Sequence, residues 1–423
     1  MKDLKRRRLI GWSAAALSAP LFAQQDHAGH APPAPAGPAS KMKPRPQLGM
    51  GAALGPDGRP WVVRLVDGRL VTQVHQGDKG WATPRVLDIG ADQLQADGEN
   101  SPKLAFGPGG VAVISYTQAL SKPFTGAIRL LRSSDGGAHF APPITVHQDR
   151  QEITHRFEAM AFDGRGRLHL VWIDKRDLEI ARKAGRPYEG AALYRSYSDD
   201  GGASFAPELK LTDASCECCR IALAPAADGG LAALWRHVFA GSVRDHGFAR
   251  LDGEAREPQR ATMDGWVLKG CPHHGPGLAA AADGGWHAVW FGQRDGLAAL
   301  RYGQLASDGS PRGKVMVLPD AAAEHAAIAA QGERLAIVWR AFDGKSMLWR
   351  AWLSTDQGRS FDLRTLGRSS GDTDHPRVLA GHQATHAATH AAAHAAGQGA
   401  GQGRMLALWN TVDQGVQLVD LFE

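Results

Sequence analysis

The sequence predicts an all-β protein, a β-propeller of four-stranded blades, and three observations support that prediction. A short apolar strand that often ends near tryptophan recurs seven times along the chain. An octapeptide of the form Ser-x-Asp-x-Gly-x-x-aromatic occurs in three of these repeats. The 423 residues include 51 glycines and 12 tryptophans, a composition that suits short strands joined by tight turns.

The recurring strands give the number of blades. They lie roughly 50 to 70 residues apart, so each interval has room for the four strands of one blade. Most of them follow a glycine-containing turn, which is typical of a strand boundary. Seven repeats are therefore counted, at Trp61–Leu65, Val111–Tyr116, Leu168–Trp172, Leu231–Trp235, His287–Trp290, Leu335–Trp339 and Met405–Trp409.

The three octapeptides are Ser133–Phe140, Ser198–Phe205 and Ser354–Phe361. The aspartate can accept backbone N–H bonds within the turn, the glycine permits a positive φ, and the aromatic residue anchors the hairpin. Their first residues are 65 and 156 positions apart, close to one and three repeats. We expect these turns to join the third and fourth strands of their blades, at the end of the propeller opposite to the start of each first strand.

The N-terminus predicts export. Residues 1–23 are typical of a signal peptide, because a basic head with Arg6 and Arg7 precedes a short apolar stretch, and Leu21–Ala23 offers a cleavage site. The arginine pair favours a twin-arginine signal over a general secretory one. Residues 24–46 are rich in alanine, proline and glycine and predict a flexible linker. A periplasmic or secreted location follows.

The charge balance restricts the partners. The formal net charge is +5, but the basic head accounts for most of it, and the remainder carries about +1. A near-neutral surface gives no electrostatic basis for binding nucleic acid. No later stretch reaches the ~18 continuous apolar residues of a membrane helix, so no membrane span is expected. The expected ligand is a small molecule, a metal or a carbohydrate, with a protein partner as a further option.

Polar residues stand at equivalent positions before the first strand of six repeats. The repeats align on Leu104, Met160, Leu223, Leu278, Ile328 and Leu379. Because each first strand lines the central channel, its start marks one mouth of that channel. The residues expected to meet there are Glu99, Asn100, His155, Arg156, Cys218, Cys219, His273, His274, Glu324, His325, Asp374 and His375.

The second strand of each blade runs back toward the same mouth. The polar residues at or shortly after its end are Asp174, Arg176, Asp177, Arg236, His237, Arg244, His246, Arg340 and Asn410. The predicted ligand-binding residues are Glu99, Asn100, His155, Arg156, His237, Arg244, His246, Glu324, His325, Arg340, Asp374 and His375. The candidate catalytic residues are Asp174, Arg176, Asp177, Arg156 and Arg236.

Four cysteines belong to the same region. Cys216, Cys218 and Cys219 lie in one short segment, and Cys271 stands directly before Pro272, His273 and His274. Cys216 and Cys271 both precede their strand anchors by seven residues, so a Cys216–Cys271 disulfide is reasonable in an oxidising compartment. Alternatively, the four cysteines with His273 and His274 form a metal site. Thiolates beside imidazoles suit copper as Cu(I), or zinc.

A histidine and alanine run at 382–403 interrupts the last repeat. His382, His386, His390 and His394 recur at every fourth position. We expect a low-complexity loop between two strands of the last blade. The alternative is a helix whose histidines, sharing one face, chelate a metal weakly.

Residues 47–423 resemble the sialidase-like propellers, in which the octapeptide is called the Asp box. The motifs Cys216–Arg220, Asp264–Trp266 and Cys271–Gly275 resemble a bacterial exported subgroup of that superfamily. The resemblance implies a propeller, and catalytic sialidases have six blades, so six blades are the alternative to seven. A sialidase uses three arginines, a Tyr–Glu pair and an aspartic acid. Here the Arg-Ile-Pro motif is not found, and no tyrosine follows Tyr302.

Three functions remain open from the sequence. The first is a binding protein whose mouth holds a metal, copper for example, or a small anionic ligand. The second is a glycoside hydrolase or lyase, with Asp174, Asp177, Glu99 and Asp374 as candidate carboxylates. The third is a scaffold that binds another protein through one face of the propeller.

Overall fold

The computed structural model describes residues 46–251, 257–381 and 403–423. These residues form seven antiparallel sheets, which confirms the all-β propeller and the count of seven blades over six. The predicted signal peptide, the linker through residue 45 and the histidine and alanine run through residue 402 lie outside the described residues. That run falls in sequence between the first and second strands of the last blade.

The strands are numbered in chain order. Blade I contains β1 (Met50–Leu54), β2 (Pro60–Val66), β3 (Arg69–Val74) and β4 (Arg85–Val86). Blade II contains β5 (Leu94–Gln95), β6 (Lys103–Phe106), β7 (Ala112–Ala119), β8 (Gly126–Ser133) and β9 (Ile144–Thr145). Blade III contains β10 (His155–Phe162), β11 (Leu168–Asp174), β12 (Ala191–Ser198) and β13 (Leu209–Ser215). Blade IV contains β14 (Ala222–Pro225), β15 (Leu231–Arg236), β16 (His246–Arg250) and β17 (Gln259–Arg260).

The remaining blades follow the same order. Blade V contains β18 (Gly277–Ala280), β19 (Trp286–Arg294), β20 (Leu297–Leu305) and β21 (Pro311–Val317). Blade VI contains β22 (Ala323–Gln331), β23 (Arg334–Phe342), β24 (Met347–Ser354) and β25 (Asp362–Ser369). Blade VII contains β26 (Arg377–Ala380), β27 (Met405–Thr411) and β28 (Gly415–Asp420). Two 3₁₀ turns lie at Gly77–Lys79 and Pro108–Gly110, and helix α1 (Arg176–Lys183) connects β11 to β12.

The inner strands close a ring around the axis. These strands are β1, β6, β10, β14, β18, β22 and β26, and each of them packs against the next. The last of them, β26, also packs against β1, so the first and last blades are neighbours. All six anchor residues of the sequence alignment lie in these strands, as their spacing predicted.

The second strand of each blade forms the core. It lies between two neighbouring blades and is buried on both faces, which explains its continuous apolar sequence. The tryptophans near its end, such as Trp172, Trp235 and Trp409, are almost fully buried. Buried indole N–H groups are hydrogen-bonded in two of these blades: Trp172 donates to Asp174 at 3.0 Å, and Trp409 donates to the Asp374 carbonyl at 3.0 Å.

The Asp-box turns adopt the predicted form and place. Each joins the third and fourth strands of its blade, in blades II, III and VI. In Ser198–Phe205, the Gly202 N–H donates to Ser198 Oγ at 2.7 Å, and the Ser204 N–H donates to Asp200 Oδ1 at 2.9 Å. Gly202 has φ +89°, which explains the glycine at this position. Since the strands are antiparallel, these turns lie at the end opposite to the start of the first strands.

Two inner strands begin with a β-bulge. The pairing register shifts between Arg156 and Ala159 in β10, and between Glu324 and Ala327 in β22. Within these bulges Phe157 has φ +57° and His325 has φ +54°. A bulge redirects the side chains around it, and such bulges recur next to functional sites. In β22 the bulge places His325 beside Glu99 of blade II, with Nδ1 3.2 Å from Oε1.

Candidate functional site

A cavity of about 290 Å³ lies on the propeller axis. Inner-strand residues of all seven blades line it, including all of the anchor residues except Leu379. Its charged lining residues are Glu99, Lys103, Arg220 and Arg377. The segments that lead into the inner strands therefore converge on one place, as the alignment of the repeats predicted.

Glu99 is the centre of this convergence. Its buried carboxylate accepts the Arg220 backbone N–H at 2.9 Å and the Gly275 N–H at 2.8 Å, and it pairs with the Arg220 guanidinium. His325 Nδ1 and His375 Nδ1 lie 3.2 and 3.4 Å from Glu99 Oε1. One side chain of blade II thus contacts the segments that enter blades IV, V, VI and VII, and it holds the mouth together.

Three imidazoles form an axial histidine cluster, which consists of His274, His325 and His375. The centroids of the His325 and His375 rings are 3.5 Å apart with 12° between the planes, and those of His274 and His325 are 4.3 Å apart with 13° between the planes. Burial lowers the pKa of all three well below the usual value, so the rings are neutral at neutral pH. Glu324 lies at the edge of the cluster, with Oε2 3.6 Å from His325 Nε2.

Three cysteines form a thiol cluster, which consists of Cys216, Cys218 and Cys219. The Sγ–Sγ distances are 3.9 Å for Cys216–Cys218, 3.9 Å for Cys218–Cys219 and 3.8 Å for Cys216–Cys219. All three are buried, while Cys271 is partly exposed and packs against the same core. All four are free thiols, so the predicted Cys216–Cys271 disulfide is not formed in this structure.

The pKa values of the four cysteine thiols are shifted in different directions. Hydrogen bonds from the other thiols, with Cys218 first, lower the pKa of Cys216 well below its usual value. Burial raises the pKa of Cys218 and Cys219 well above theirs, and the interaction with Cys216 raises the pKa of Cys271 to about 12. The arrangement favours a thiolate at Cys216 that accepts hydrogen bonds from neighbouring thiols.

Basic side chains surround the thiol cluster and are fixed by backbone carbonyls. Arg236 donates to the carbonyls of Arg244, His274 and Phe291 at 2.6 to 2.9 Å. The charge of the Arg244 guanidinium contributes to the lowered pKa of Cys216. His246 is fully buried, its Nδ1 lies 3.1 Å from Thr262 Oγ1, and its Nε2 finds no hydrogen-bond partner among the residues that the structure describes. Burial lowers the pKa of the neighbouring His237 to about 4.

The two clusters divide the residues predicted for a single metal site. Among the described residues, the groups of three donor atoms within 4.8 Å of one another are Cys216, Cys218 and Cys219; Glu99, His325 and His375; and His274, Glu324 and His325. His274 therefore belongs with the axial imidazoles and not with the thiols. His273 adopts φ +52° in the segment that leads to β18.

Not every predicted ligand residue faces the axis. His155 is fully buried beside blade II, where its ring stacks on His147 at 3.9 Å. The Asn100 side chain accepts the Phe157 N–H at 2.9 Å and the Thr117 hydroxyl at 3.0 Å, which joins blades II and III. Arg156 is buried, with its guanidinium 4.8 Å from the Phe157 ring and 3.8 Å from Asp97.

The candidate catalytic carboxylates are engaged in structural bonds. Asp174 is fully buried and accepts hydrogen bonds from the Trp172 indole and from the backbone and guanidinium of Arg176. Asp177 is on α1 and accepts the Tyr194 hydroxyl at 2.8 Å. These two aspartates and Arg176 hold α1 and blade III in place, and they do not line the axial cavity.

Asp374 and Arg340 link blade VII to its neighbours. Asp374 is buried and accepts the Met50 N–H at 2.9 Å, and burial raises its pKa to about 6. Arg340 donates to the Thr373 carbonyl at 2.6 Å and pairs with Glu324 at 2.9 Å. Both contacts lie beside the axial histidine cluster.

Three basic residues of the cavity were not predicted from the sequence. They are Lys103, Arg220 and Arg377. Arg220 stands three positions before its anchor, so the same alignment extended by one residue identifies it. Arg377 donates to Met50, Gly98 and Ser101 across the first and second blades. Lys103 lies 3.4 Å from the buried Glu158, and burial lowers its pKa.

Comparisons with known proteins agree with the architecture. No family model matches the sequence, and no curated protein matches it. An ulvan lyase of a polysaccharide lyase family, bound to -[GlcA(1-4)Rha3S]-, is similar in structure, with TM-score 0.54 and 12% identity over 89% of this chain and 94% of that one. The NanB sialidase from Streptococcus pneumoniae, in a mutant form, gives TM-score 0.46 and 10% identity over 86% and 83%.

At 12% identity, the similarity to the ulvan lyase shows the fold alone. Within the described ranges, no helix combines the length and apolar character needed to cross a membrane. Seven radial blades, an inner ring that closes on itself and three Asp-box turns in their expected places confirm the β-propeller fold predicted from the sequence.

Proposed function

We propose that the protein binds a soft metal ion, Cu(I) or Zn²⁺, through the thiol cluster at the mouth of the propeller. The separation of the sulfur atoms carries this proposal. Four sulfurs around a tetrahedral ion at ~2.3 Å lie ~3.8 Å from one another. The thiol cluster has separations of 3.8 to 3.9 Å, whereas a disulfide needs ~2.05 Å. Cys271, beside Cys216 and Cys218, would provide the fourth sulfur.

The electrostatic surroundings also suit a metal bound by thiolates. A buried cluster of several thiolates carries negative charge that the interior must compensate. Arg236 and Arg244 lie close enough to influence Cys219 and Cys216, and their backbone contacts hold them there, with no carboxylate partner in the part of the chain that the structure describes. Soft thiolate ligands select Cu(I) and Zn²⁺ among the common ions. Which of the two binds is decided by the coordination number, three for Cu(I) or four for Zn²⁺.

The predicted export of the protein bears on the redox state of the thiol cluster. The N-terminal signal predicts a periplasmic or secreted location, where free thiols oxidise unless they are protected. A bound metal ion would protect all four cysteines and would keep the cluster reduced. The proposal therefore includes export, and the metal would be acquired during or after transport.

The geometry supports metal binding over an anionic ligand and over glycoside hydrolysis. An anionic ligand needs guanidinium groups that are free to receive it, but Arg176, Arg236 and Arg340 are already engaged by protein oxygens. A glycosidase needs two accessible carboxyl groups that face one sugar-binding pocket. Asp174, Glu99 and Asp374 are buried, and each accepts bonds that hold the propeller together.

The test is a metal titration of the reduced, metal-free, full-length protein without oxygen. Cu(I) and Zn²⁺ are titrated separately against the parent, a Cys216→Ser/Cys218→Ser variant and a Met263→Ala control that removes an exposed sulfur elsewhere. The parent and the control should bind one more equivalent than the double variant, because histidines outside the cluster bind equally in all three. Equal binding by all three proteins would overturn the proposal.

A further inference from the structure

We propose that the axial histidine cluster is a second metal site, which takes a borderline divalent ion such as Zn²⁺ or Cu²⁺ through His274, His325, His375 and Glu324. Imidazole and carboxylate ligands suit these ions, whereas the thiol cluster suits Cu(I) and Zn²⁺. This site uses none of the cysteines, so it stands or falls independently of the function proposed above.

The donor atoms come from three consecutive blades and meet at the axis. His274 precedes β18, His325 lies in the bulge of β22, and His375 precedes β26. One donor atom each from His274, Glu324 and His325 lies within 4.8 Å of the others, and His375 stacks on His325 at 3.5 Å. Ligands of a tetrahedral zinc ion at ~2.0–2.1 Å lie ~3.3 Å apart, so the stacked rings would have to rotate to direct their nitrogen lone pairs at one ion.

Glu99 positions His325 and leaves its outer nitrogen available. His325 Nδ1 lies 3.2 Å from Glu99 Oε1, within hydrogen-bond distance, whereas His375 Nδ1, 3.4 Å from the same oxygen, has no hydrogen-bond partner among the described residues. Histidines that bind metals commonly donate their other N–H to a carboxylate, which fixes the tautomer and the ring orientation. With Nδ1 of His325 protonated, its Nε2 lone pair is available to an ion, and the unpartnered Nδ1 of His375 would be a further donor. Glu99 itself is held by Arg220 and Gly275, so it acts as a positioning residue.

The cluster has unused bonding capacity in the interior. His274 Nδ1 is buried and has no hydrogen-bond partner among the described residues. A buried polar atom left without a partner destabilises the folded protein. His325 also adopts φ +54°, a sparsely populated conformation for a residue other than glycine. A bound ion would use the unsatisfied nitrogen and would explain why the chain holds three imidazoles face to face.

The charge around the cluster allows a cation. Three guanidinium groups face this region, and each of them is matched by a carboxylate. The pairs are Arg220 with Glu99, Arg340 with Glu324 at 2.9 Å, and Arg377 with Asp374 at 3.9 Å. Because each guanidinium has a carboxylate partner, part of its charge is offset, and Glu324 as a ligand would supply negative charge directly to a bound ion.

The experiment measures how many metal equivalents each variant binds. Full-length protein is dialysed against Zn²⁺ alone, and the zinc content of the parent is compared with that of His325→Gln and of Glu324→Gln. His287→Gln is the matched control, because His287 is also a buried histidine but bonds to the Tyr302 hydroxyl at 2.8 Å. Thermal unfolding of each variant confirms that it is folded before the zinc is counted.

The expected result is the loss of one equivalent in His325→Gln and weaker binding of that equivalent in Glu324→Gln, with His287→Gln unchanged. After the thiols, which would reduce Cu²⁺, are blocked by alkylation, a Cu²⁺ titration followed by electron paramagnetic resonance should show a component with nitrogen couplings in the parent that His325→Gln loses. A parent and a folded Glu324→Gln variant that bind zinc equally well and give the same Cu²⁺ spectrum would overturn the proposal. If the Cys216→Ser/Cys218→Ser variant binds as many metal equivalents as the parent while His325→Gln binds one fewer, the thiol site is refuted and the histidine site is not.

Discussion

The two ends of the propeller satisfy their polar groups in opposite ways. At the Asp-box end, each turn is complete within eight residues: Ser198, Asp200 and Gly202 bond to one another and to their immediate neighbours. At the mouth, Glu99 finds its partners 121 to 226 positions away in the chain. The mouth also contains buried atoms without hydrogen-bond partners, among them His246 Nε2 and His274 Nδ1.

This difference indicates that the Asp-box turns stabilise the fold, whereas the mouth is the candidate binding site. Local bonds stabilise a hairpin wherever it occurs, and they form early because their loops are short. Long-range bonds between different blades form only once the ring has closed. Polar groups that remain unsatisfied after that closure cost stability, and the buried imidazole nitrogens among them mark the mouth as the end where a ligand would act.

The largest effect is expected at Glu99. Glu99→Ala should lower the free energy of unfolding by about 3–5 kcal/mol, because it leaves the charge of Arg220 buried without its partner. Urea unfolding measures the change. Glu179→Ala is the control, since the ion pair of Glu179 with the exposed Arg182 is worth less than about 1 kcal/mol. Equal effects of the two variants would contradict the central role of Glu99.

A smaller effect is expected from metal linkage at the thiol cluster. A free metal concentration 100 times the dissociation constant should stabilise the reduced protein by about 2.7 kcal/mol, because only the folded state assembles the site. Urea unfolding with and without Cu(I) measures it. Cys218→Ser should lose most of the gain, and a full gain in that variant would place the metal elsewhere.

The Asp-box end should show only a local cost. Ser198→Ala removes the acceptor of the Gly202 N–H, and we expect a loss of about 1 kcal/mol in urea unfolding. Its metal binding should equal that of the parent, because the turn lies at the other end of the propeller. A change in metal stoichiometry in this variant would show that the two ends are coupled.

The smallest effect is a pH dependence of the same turn. Burial raises the pKa of Asp200, but hydrogen bonds from Ser198 and Ser204 outweigh that effect and lower the pKa to about 2. A lowered pKa means that the carboxylate stabilises the fold above the unfolded pKa near ~3.9, and that this stability is lost as the pH falls toward about 2. Asp200→Asn should therefore differ from the parent at pH 7 and converge with it in acid, as measured by thermal unfolding.

The pH dependence of stability expected from Asp374, at the mouth, has the opposite sign. Its burial raises its pKa to about 6, so the charged form opposes folding, and this penalty falls as the pH drops below about 6. Asp374→Asn should therefore gain stability relative to the parent above that pH and lose the advantage below it. If the stabilities of Asp200→Asn and Asp374→Asn, each relative to the parent, changed in the same direction on acidification, the difference between the two ends would be refuted.

The sequence was sufficient for the fold because the fold rests on repetition. The strands that end near Trp172 and Trp339 recur with regular spacing, and buried second strands require apolar residues wherever they occur. The spacing also placed Cys219, His274 and His375 at the same mouth. The Asp boxes were predictable for a further reason, since all of their bonds lie within one short segment.

The details of the site depend on features that repetition does not encode. His155 was expected at the axis, but it pairs with Asp174 at the start of β10 and faces blade II. A shift of one residue along a strand moves a side chain to the other face, and the bulge after Arg156 makes such a shift. The separation of thiols from imidazoles was also beyond the sequence, because it depends on which rings stack around His325.

Metal binding by the thiol cluster can be measured by X-ray absorption at the copper edge of the protein loaded with one equivalent of Cu(I). We expect a first coordination shell of sulfur alone, from the thiol cluster, and loss of this shell in Cys216→Ser/Cys218→Ser. A first shell of nitrogen and oxygen in the parent would show that the thiol cluster does not bind the ion.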